Sequence, residues 1–308
     1  MNNKATISAI IVNYNRRVQT KVCINSIAED KNILEILVVD NNSEDNSYFF
    51  LKKFFNSNKK IKIIKSMKNL GAAGGRNLGA NQAKGRYLLF IDSDNVISKD
   101  MSRFLLSTLN EKNVIMTGPV SLYFEKKKKI WCLDAYISRF TSISKYNFNK
   151  VNYSSLNKNK VYDTDHILNC FMVEKKKFNT IKGFDERYFI MFEEADFAAR
   201  LKKKFNGNIR ISLKAKTFHH VPYNNVDLID TGSRGAIRTY LVSRNRFLYM
   251  LKNSNFFQRC IFILFVYPSI ILIYSLIFIK NLKFNYLKLT LKGFWDGITF
   301  NFKNDFIN

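Results

Sequence analysis

The chain has 308 residues, length enough to bury a full core in one large domain or two. Its 50 Lys and Arg against 24 Asp and Glu leave a net charge of +26, which calls for anionic partners: nucleic acid, nucleotide phosphates or an anionic membrane surface. Four scattered cysteines (Cys23, Cys132, Cys170 and Cys260) with no C-x-x-C argue against a zinc site or a disulfide framework, and for a reducing compartment.

In chain order, "TISAIIV" (6–12) reads as a buried β-branched strand. It is too short for a signal-peptide core, so the main domain is expected in the cytoplasm. "VQTKVCINSIA" (18–28) follows with Val18, Val22, Ile24 and Ile27 at near-helical spacing. "EILVVD" (35–40) is a second buried strand ending in Asp40, "YFFLKKFFN" (48–56) a helix, and "IKIIK" (61–65) a third strand. "GAAGGRNLGANQAKG" (71–85) is expected to begin as a glycine loop and continue as a helix, and "RYLLFI" (86–91) is the fourth strand. Strands alternating with helices predict a parallel sheet covered on its faces, with ligands at the carboxyl ends of the strands. Three polar clusters then share one rim: Asn13, Tyr14 and Asn15 after the first strand, Asp40 at the second, and Asp92 and Asp94 of "FIDSDN" after the fourth. Beyond residue 110 the pattern loosens. "VIMTGPVSLYF" (114–124) predicts strands around Gly118–Pro119, "EKKKK" (125–129) a solvated face or loop, and 138–160 a mobile loop. Asn, Lys, Ile and Phe are abundant throughout, a mark of base composition that discounts part of the charge.

Several clusters carry chemistry. A D-x-D after a strand is often only a turn, but its carboxylates suit Mg²⁺ or Mn²⁺, ions that also hold substrate phosphates. The stretch "NLGAAGGRNLGA" (69–80) is neither G-x-G-x-x-G nor a Walker loop. Its glycines allow either a close backbone approach to an anion, with Arg76 and Asn77 as donors, or tight helix–sheet packing. In "GFDERYFIMFEEADFAARL" (183–201), Glu193, Glu194 and Asp196 crowd into four residues, with Arg200 placed to pair with Asp196. They form either an acidic first helical turn or a general base with a raised pKa. In "KTFHHVPYN" (216–224) adjacent histidines on a strand point opposite ways, so only one can face the rim.

Taken in order, "IIVNYNR", "VVDNNS", "NLGAAGGRNLG", "FIDSDN", "GFDERYFIMFEEADFAAR", "FHH" and "YLVSRNRFLYMLK" resemble an inverting glycosyltransferase of family 2 with the Rossmann-like α/β GT-A fold, over roughly residues 6–250. The likeness is greatest to the bacterial and archaeal rhamnosyltransferase-like subgroup that builds surface polysaccharides. The resemblance implies that Asp40 reads the nucleotide base in a pocket lined by Asn13, Tyr14 and Asn15. It implies that Gly71, Arg76, Asn77, Asp92 and Arg244 bind the donor, and that Asp94, joined by His219, holds a divalent metal, Mn²⁺ or Mg²⁺. Glu194 matches the catalytic base, with Glu193, Asp165 and Asn169 on the acceptor side. Two residues depart from the family pattern: Glu194 stands where Asp is usual, and Asn169 where a small residue, commonly Gly, is usual. The implied partners are a UDP- or dTDP-sugar donor and a glycan or lipid-linked acceptor, with no nucleic acid.

Residues 261–279, "IFILFVYPSIILIYSLIFI", are uncharged. At about 1.5 Å per residue such a helix nearly matches a ~30 Å hydrocarbon core. Lys283, Lys288, Lys292 and Lys303 follow it, and a single span would carry them out of the cytoplasm against the positive-inside tendency. A hairpin broken at Pro268, or a segment lying in the interface, avoids this. "FNYLKLTLKGFWDGI" (284–298) aligns Phe284, Leu287, Leu291, Phe294, Trp295 and Ile298 on one face, as an interfacial helix does; the alternative is a core helix docked on the catalytic domain. The division expected is therefore a catalytic domain over 1–250 and a membrane-associated region over 251–308, held at the cytoplasmic face of the cell membrane through 256–298. Two competing classes are weaker. A sugar nucleotidyltransferase needs a glycine- and lysine-rich loop at the first strand, which "VNYNRR" is not. A basic nucleic-acid-binding protein would not line its groove with Asp and Glu.

Overall fold

The computed structural model describes residues 6–223 and 233–304. In chain order the elements are β1 (Ile7–Asn13), α1 (Arg17–Ile27), β2 (Ile33–Asp40), α2 (Ser47–Phe54), β3 (Ile61–Lys65), α3 (Gly71–Gln82), β4 (Tyr87–Asp92), β5 (Asn95–Ile97), α4 (Met101–Leu109) and β6 (Val114–Tyr123). Then come β7 (Ile130–Cys132), β8 (Asp134–Ile137), β9 (Ser144–Asn147), β10 (Cys170–Glu174), α5 (Lys175–Thr180), α6 (Glu193–Phe205) and β11 (Asn208–His219). The C-terminal part is helical: α7 (Ser233–Asn253), α8 (Phe256–Ile261), α9 (Tyr267–Lys280) and α10 (Phe284–Ile298).

The main sheet runs β3-β2-β1-β4-β10-β6-β11-β5, with β7 beside β6. β1 is parallel to both β2 and β4, and β2 to β3, whereas β10 is antiparallel to β4 and β6. Alternation assigns the side chains to two cores. Ile10, Leu37, Val39, Leu88 and Phe90 face α3, while Ile11, Ile36, Val38, Leu89 and Ile91 face α1, α2 and α4. Burial on both faces is why these strands read as unbroken apolar runs. The parallel strands all end on one edge, which collects Asn13, Asp40 and Asp92.

Several local expectations change. In α1 the buried face is Thr20, Cys23, Ile24 and Ile27, with Val18 and Val22 exposed. Thr20 fixes that phase by donating its hydroxyl to Asn13 Oδ1 at 2.6 Å. The glycine stretch forms no loop: α3 begins at Gly71 itself. A Cβ on Gly75 would meet Val12 at 2.7 Å, and one on Gly79 would meet Ile10 at 2.5 Å, so these glycines let the helix lie close on β1. β6 runs unbroken through Gly118–Pro119, its parallel pairing with β11 shifting register between Ser212 and Lys216. Within 138–160, a region expected as loop, β9 pairs with β8 as a separate two-stranded sheet.

Pro268 breaks nothing. A π-helical turn, Phe262–Val266, immediately precedes it and takes up the change in hydrogen bonding that the missing Pro268 N–H imposes. Phe256–Lys280 is therefore one continuous helical stretch of 25 residues, long and apolar enough to cross a membrane, with only 22% of its apolar window buried. In α10 the expected outer face holds for Phe284, Leu291, Trp295 and Ile298, all exposed. The opposite face docks on α7 through Gly293, where a Cβ would crowd Tyr240 and Ser243, and Gly297, where it would crowd Phe247 and Tyr267. Asp296 accepts from the Tyr240 hydroxyl at 2.7 Å and from Lys292 at 2.6 Å. Residue 250, the expected domain boundary, lies inside α7.

Candidate active site

Three groups of side chains stand on the rim. The first is a buried polar floor at the ends of β1 and β2. Asn13 Nδ2 donates to Asp40 Oδ1 at 2.8 Å and to Ser43 Oγ at 3.1 Å, and the Ser43 backbone N–H donates to Asp40 Oδ2. Asn15 takes a left-handed backbone (φ 53°) and accepts from the Glu44 N–H at 2.8 Å, while Tyr14 stays partly exposed beside it. Asn13 and Asp40 are almost completely buried, so their orientation is set before any ligand arrives.

The second group centres on Arg76, a buried guanidinium facing three carboxylates. It lies 3.0 Å from Glu193 Oε1, 2.8 Å from Glu194 Oε1 and 2.7 Å from Asp92 Oδ1. Both glutamates open α6, where the helix N-terminus favours negative charge. Burial raises the Glu194 carboxyl to about 8 against the pull of Arg76, with Glu193 and Asp92 adding to the rise. Burial raises Glu193 too, again opposed by Arg76. One guanidinium faces two buried glutamates and the half-exposed Asp92, a shortage of positive charge that favours the protonated form of the buried pair. The turn before α6 is strained: Phe189, Met191 and Phe192 all have positive φ, which bulky residues rarely adopt. Asn245 of α7 holds it, donating Nδ2 to the carbonyls of Tyr188 (2.7 Å), Ile190 (2.9 Å) and Met191 (3.0 Å).

The third group is Asp94 with His219 and Arg16. His219 Nε2 stands 3.4 Å from Asp94 Oδ1, and Arg16 Nη1 donates to Asp94 Oδ2. Burial alone would raise the Asp94 carboxyl, but His219 and Arg16 outweigh it and hold it at about 2. His220, just past the end of β11, stacks instead on Phe124, with ring centres 3.6 Å apart. A carboxylate and an imidazole adjoin here, donor types that suit a divalent cation. His219 turns Nε2 to Asp94, its buried Nδ1 has no hydrogen-bond partner, and an ion at Asp94 would compete with Arg16. Among the described residues no three His, Cys, Asp or Glu gather as ligands, so an ion here would complete its shell with non-protein oxygens.

Other expected site residues lie elsewhere. Arg244, expected near the donor, is fully buried and bonds to the carbonyls of Arg187 and Lys303 and to Asn304 Oδ1. Asn77 is held by Phe184 and Glu186. Gly71 is structural: its φ of +67° and the Phe189 carbonyl against it leave no room for a Cβ. Arg76 belongs to the acidic cluster, not to an anion loop. Asp165 is an exposed partner of Lys202 at 3.2 Å. Asn169 donates its N–H to Glu194 Oε1 at 3.1 Å and accepts from the Asp92 N–H at 2.8 Å, linking the two acids. Its φ of 55° explains why glycine suits the position and why asparagine replaces it. Asp196 pairs with Arg200 at 2.7 Å, as its spacing predicts, and with Lys252. Sequence reasoning missed two contributors. Arg16 lies one residue beyond the expected Asn13–Asn15 cluster, and Asn245 adjoins Arg244 in the same short element.

Comparison with known proteins fits this geometry. The family model described as glycosyl transferase family 2 matches residues 8–182. The glycosyltransferase GlyG of Streptococcus pneumoniae is 30% identical over 109 residues, 35% of this chain and 36% of that protein. An Escherichia coli protein named UDP-Glc:alpha-D-GlcNAc-diphosphoundecaprenol beta-1,3-glucosyltransferase WfgD is 30% identical over 109 residues, 35% of this chain and 42% of that one. The matches thus span less than half the length of these relatives. Among solved structures, GalNAc-T7 with UDP, GalNAc and Mn²⁺ aligns over 81% of this chain and 50% of its own, at 16% identity and a TM-score of 0.63. S. aureus TarS in complex with UDP-GlcNAc aligns over 83% and 70%, at 16% identity and a TM-score of 0.53. These likenesses show the fold, a GT-A-type α/β architecture.

Proposed function

The chain belongs to glycosyl transferase family 2, and from that premise we propose that it moves a sugar, with inversion, from a nucleoside-diphosphate sugar to a hydroxyl of a glycan or lipid-linked acceptor. The observation that carries this reading is Glu194, buried on the first turn of α6, held by Arg76 at 2.8 Å and by the Asn169 N–H at 3.1 Å, on the same rim as the Asp94–His219 pair, where burial raises its carboxyl. A carboxylate with a pKa near the working pH is suited to take a proton from a hydroxyl. Asn13, Asp40 and Tyr14 form the nucleotide pocket. Asp94 and His219 are the residues that would hold Mn²⁺ or Mg²⁺, and such an ion supplies neutralisation of the charge on the departing diphosphate. Arg76 and Asn169 orient Glu194. As Glu194 takes the acceptor's proton, the freed oxygen attacks the anomeric carbon opposite the leaving group, and one displacement inverts that centre.

The name of WfgD specifies a diphosphoundecaprenol-linked acceptor, and another relative, from Bacillus subtilis, is named a putative teichuronic acid biosynthesis glycosyltransferase. Both names favour a lipid-linked or surface-polysaccharide acceptor here. The exposed apolar stretch Phe256–Lys280 and the outer face of α10 favour attachment to the cytoplasmic face of a membrane. We place the catalytic domain over 1–250, the membrane-associated region over 251–308, and the chain in the rhamnosyltransferase-like subgroup on its ordered motifs. The test is a calorimetric screen of UDP- and dTDP-sugars with and without Mn²⁺. At least one donor is expected to bind and to be slowly hydrolysed. Binding by none of them, in protein that melts cooperatively, rejects the reading.

A further inference from the structure

Two aromatic residues beside the site have no part in the reaction as described. Trp131, on β7, sets its indole edge-on to the His219 imidazole, 4.5 Å between ring centres at 75°. Tyr146, on β9, lies nearly parallel to Trp131, 24° apart at 6.5 Å, and keeps 46% of its surface open. The rings thus step outward from the Asp94–His219 pair. Cys132, next to Trp131 in β7, pairs with Ser121 of β6. Asn169 Nδ2 donates to the Ser121 hydroxyl at 3.4 Å and the Asn169 N–H donates to Glu194, so the strand carrying Trp131 is joined to the proposed base through two residues. The support is fixed: Asn149 Nδ2 donates to the Trp131 carbonyl at 2.8 Å, and Arg246 of α7 donates to the Thr141 carbonyl at 3.1 Å in the β8–β9 connection.

A pyranose has an apolar face of C–H groups and a rim of hydroxyls. A rigid, half-open aromatic surface beside a carboxylate that needs a hydroxyl matches both features, since aromatic rings with a polar tip serve sites that are apolar on one side and wet on the other. A nucleotide base would also stack, but its pocket lies at Asp40, at the ends of β1 and β2. We propose that Trp131 and Tyr146 form the platform on which the accepting sugar ring stacks, with one of its hydroxyls turned toward Glu194. This rests on the transferase reading above.

The chain has two tryptophans, Trp131 and Trp295, so in a Trp295→Phe protein the emission reports Trp131 alone. That protein, with UDP and Mn²⁺ present, is titrated with the methyl glycosides of glucose, galactose, rhamnose and N-acetylglucosamine. At least one is expected to shift the emission saturably. Tyr146→Ala should weaken that sugar about tenfold, and Tyr146→Phe, which keeps the ring, by no more than about twofold. No shift with any of the four, in protein whose UDP binding by calorimetry is intact, overturns the platform. So does a loss in Tyr146→Phe equal to that in Tyr146→Ala, because the hydroxyl and not the ring would then be acting. Absence of both UDP and dTDP binding in the Trp295→Phe protein counts against the transferase reading instead, and where dTDP alone binds it replaces UDP in the titration.

Discussion

At Glu194 the acid–base balance is set by burial and a shortage of positive charge: one guanidinium serves the buried Glu193 and Glu194 and the half-exposed Asp92. Because burial raises the Glu194 carboxyl to about 8, the base is mostly protonated at pH 6 and mostly ionised at pH 9. The transfer rate should therefore climb with pH through that interval. Glu194→Gln should lower kcat by about 10²–10⁴-fold and remove the climb, with UDP affinity nearly unchanged, because general-base catalysis is worth that much. Near-normal transfer by this variant would sink the assignment. Glu193→Gln should cost less and move the climb to lower pH, since the Glu193 charge is one cause of the raised Glu194 value. Asp94→Asn should abolish turnover and remove the Mn²⁺ dependence of UDP binding in a folded protein, since Asp94 sits on the loop between β4 and β5; calorimetry showing unaltered metal dependence would refute the role. The acids were legible in the sequence because clustered carboxylates in a basic chain stand out. Their shared cation was legible only as a residue type: Arg76 reads as an anion ligand until the fold brings α6 to it, more than a hundred residues on.

At the level of elements, α7 keeps the site in shape. Asn245 holds three carbonyls of the turn that launches α6, Arg244 holds the Arg187 carbonyl just before them, and Arg246 holds the β8–β9 connection. Positive φ at bulky residues costs about 1–3 kcal/mol each, so that turn persists only where its surroundings fix it. Asn245→Ala should leave donor affinity near normal, because the carbonyls that Asn245 holds belong to the turn before α6 and not to Asn13 or Asp40. It should lower transfer at least tenfold and lower Tm by several degrees, on the order of 1–3 kcal/mol for each carbonyl left without a partner. Unchanged kcat with a lowered Tm would limit Asn245 to stability. The β–α alternation of the first half was legible because buried parallel strands are long apolar runs. The role of α3's glycines and of Asn245 was not. Glycine has no side chain to enter a periodic pattern, and an amide that bonds carbonyls far off in sequence resembles any polar residue on a helix.

For the molecule as a whole, the C-terminal helices face two ways. α10 presents Gly293, Gly297 and Asp296 to α7 and turns Leu291, Trp295 and Ile298 outward. The apolar outer face was readable from helical spacing. The docking face was not, because it is made of small and polar residues that hydropathy passes over. Both expected arrangements therefore hold at once, an outward apolar surface and a helix docked on the rest of the chain. This changes which experiment is informative. Truncation after Asn255 removes the exposed apolar surface but also strips α10 from Tyr240 and Phe247, so a poorly folded product would say nothing about lipid. The better variant keeps the packing and alters only exposed positions: Leu264→Glu, Phe265→Glu and Leu272→Glu on the Phe256–Lys280 stretch, each at least 61% exposed. An acid at the bilayer centre costs about 2.5–3.5 kcal/mol, so three such changes should outweigh the affinity of any interfacial attachment. The wild type should sediment with vesicles of phosphatidylglycerol and phosphatidylethanolamine, and the triple variant should stay in the supernatant with an unchanged melting curve. Its transfer to a water-soluble acceptor should persist, because all three substituted side chains are mostly exposed and none belongs to the rim. Equal sedimentation of the two proteins would mean that this face does not meet lipid and that attachment, if any, lies elsewhere in the chain.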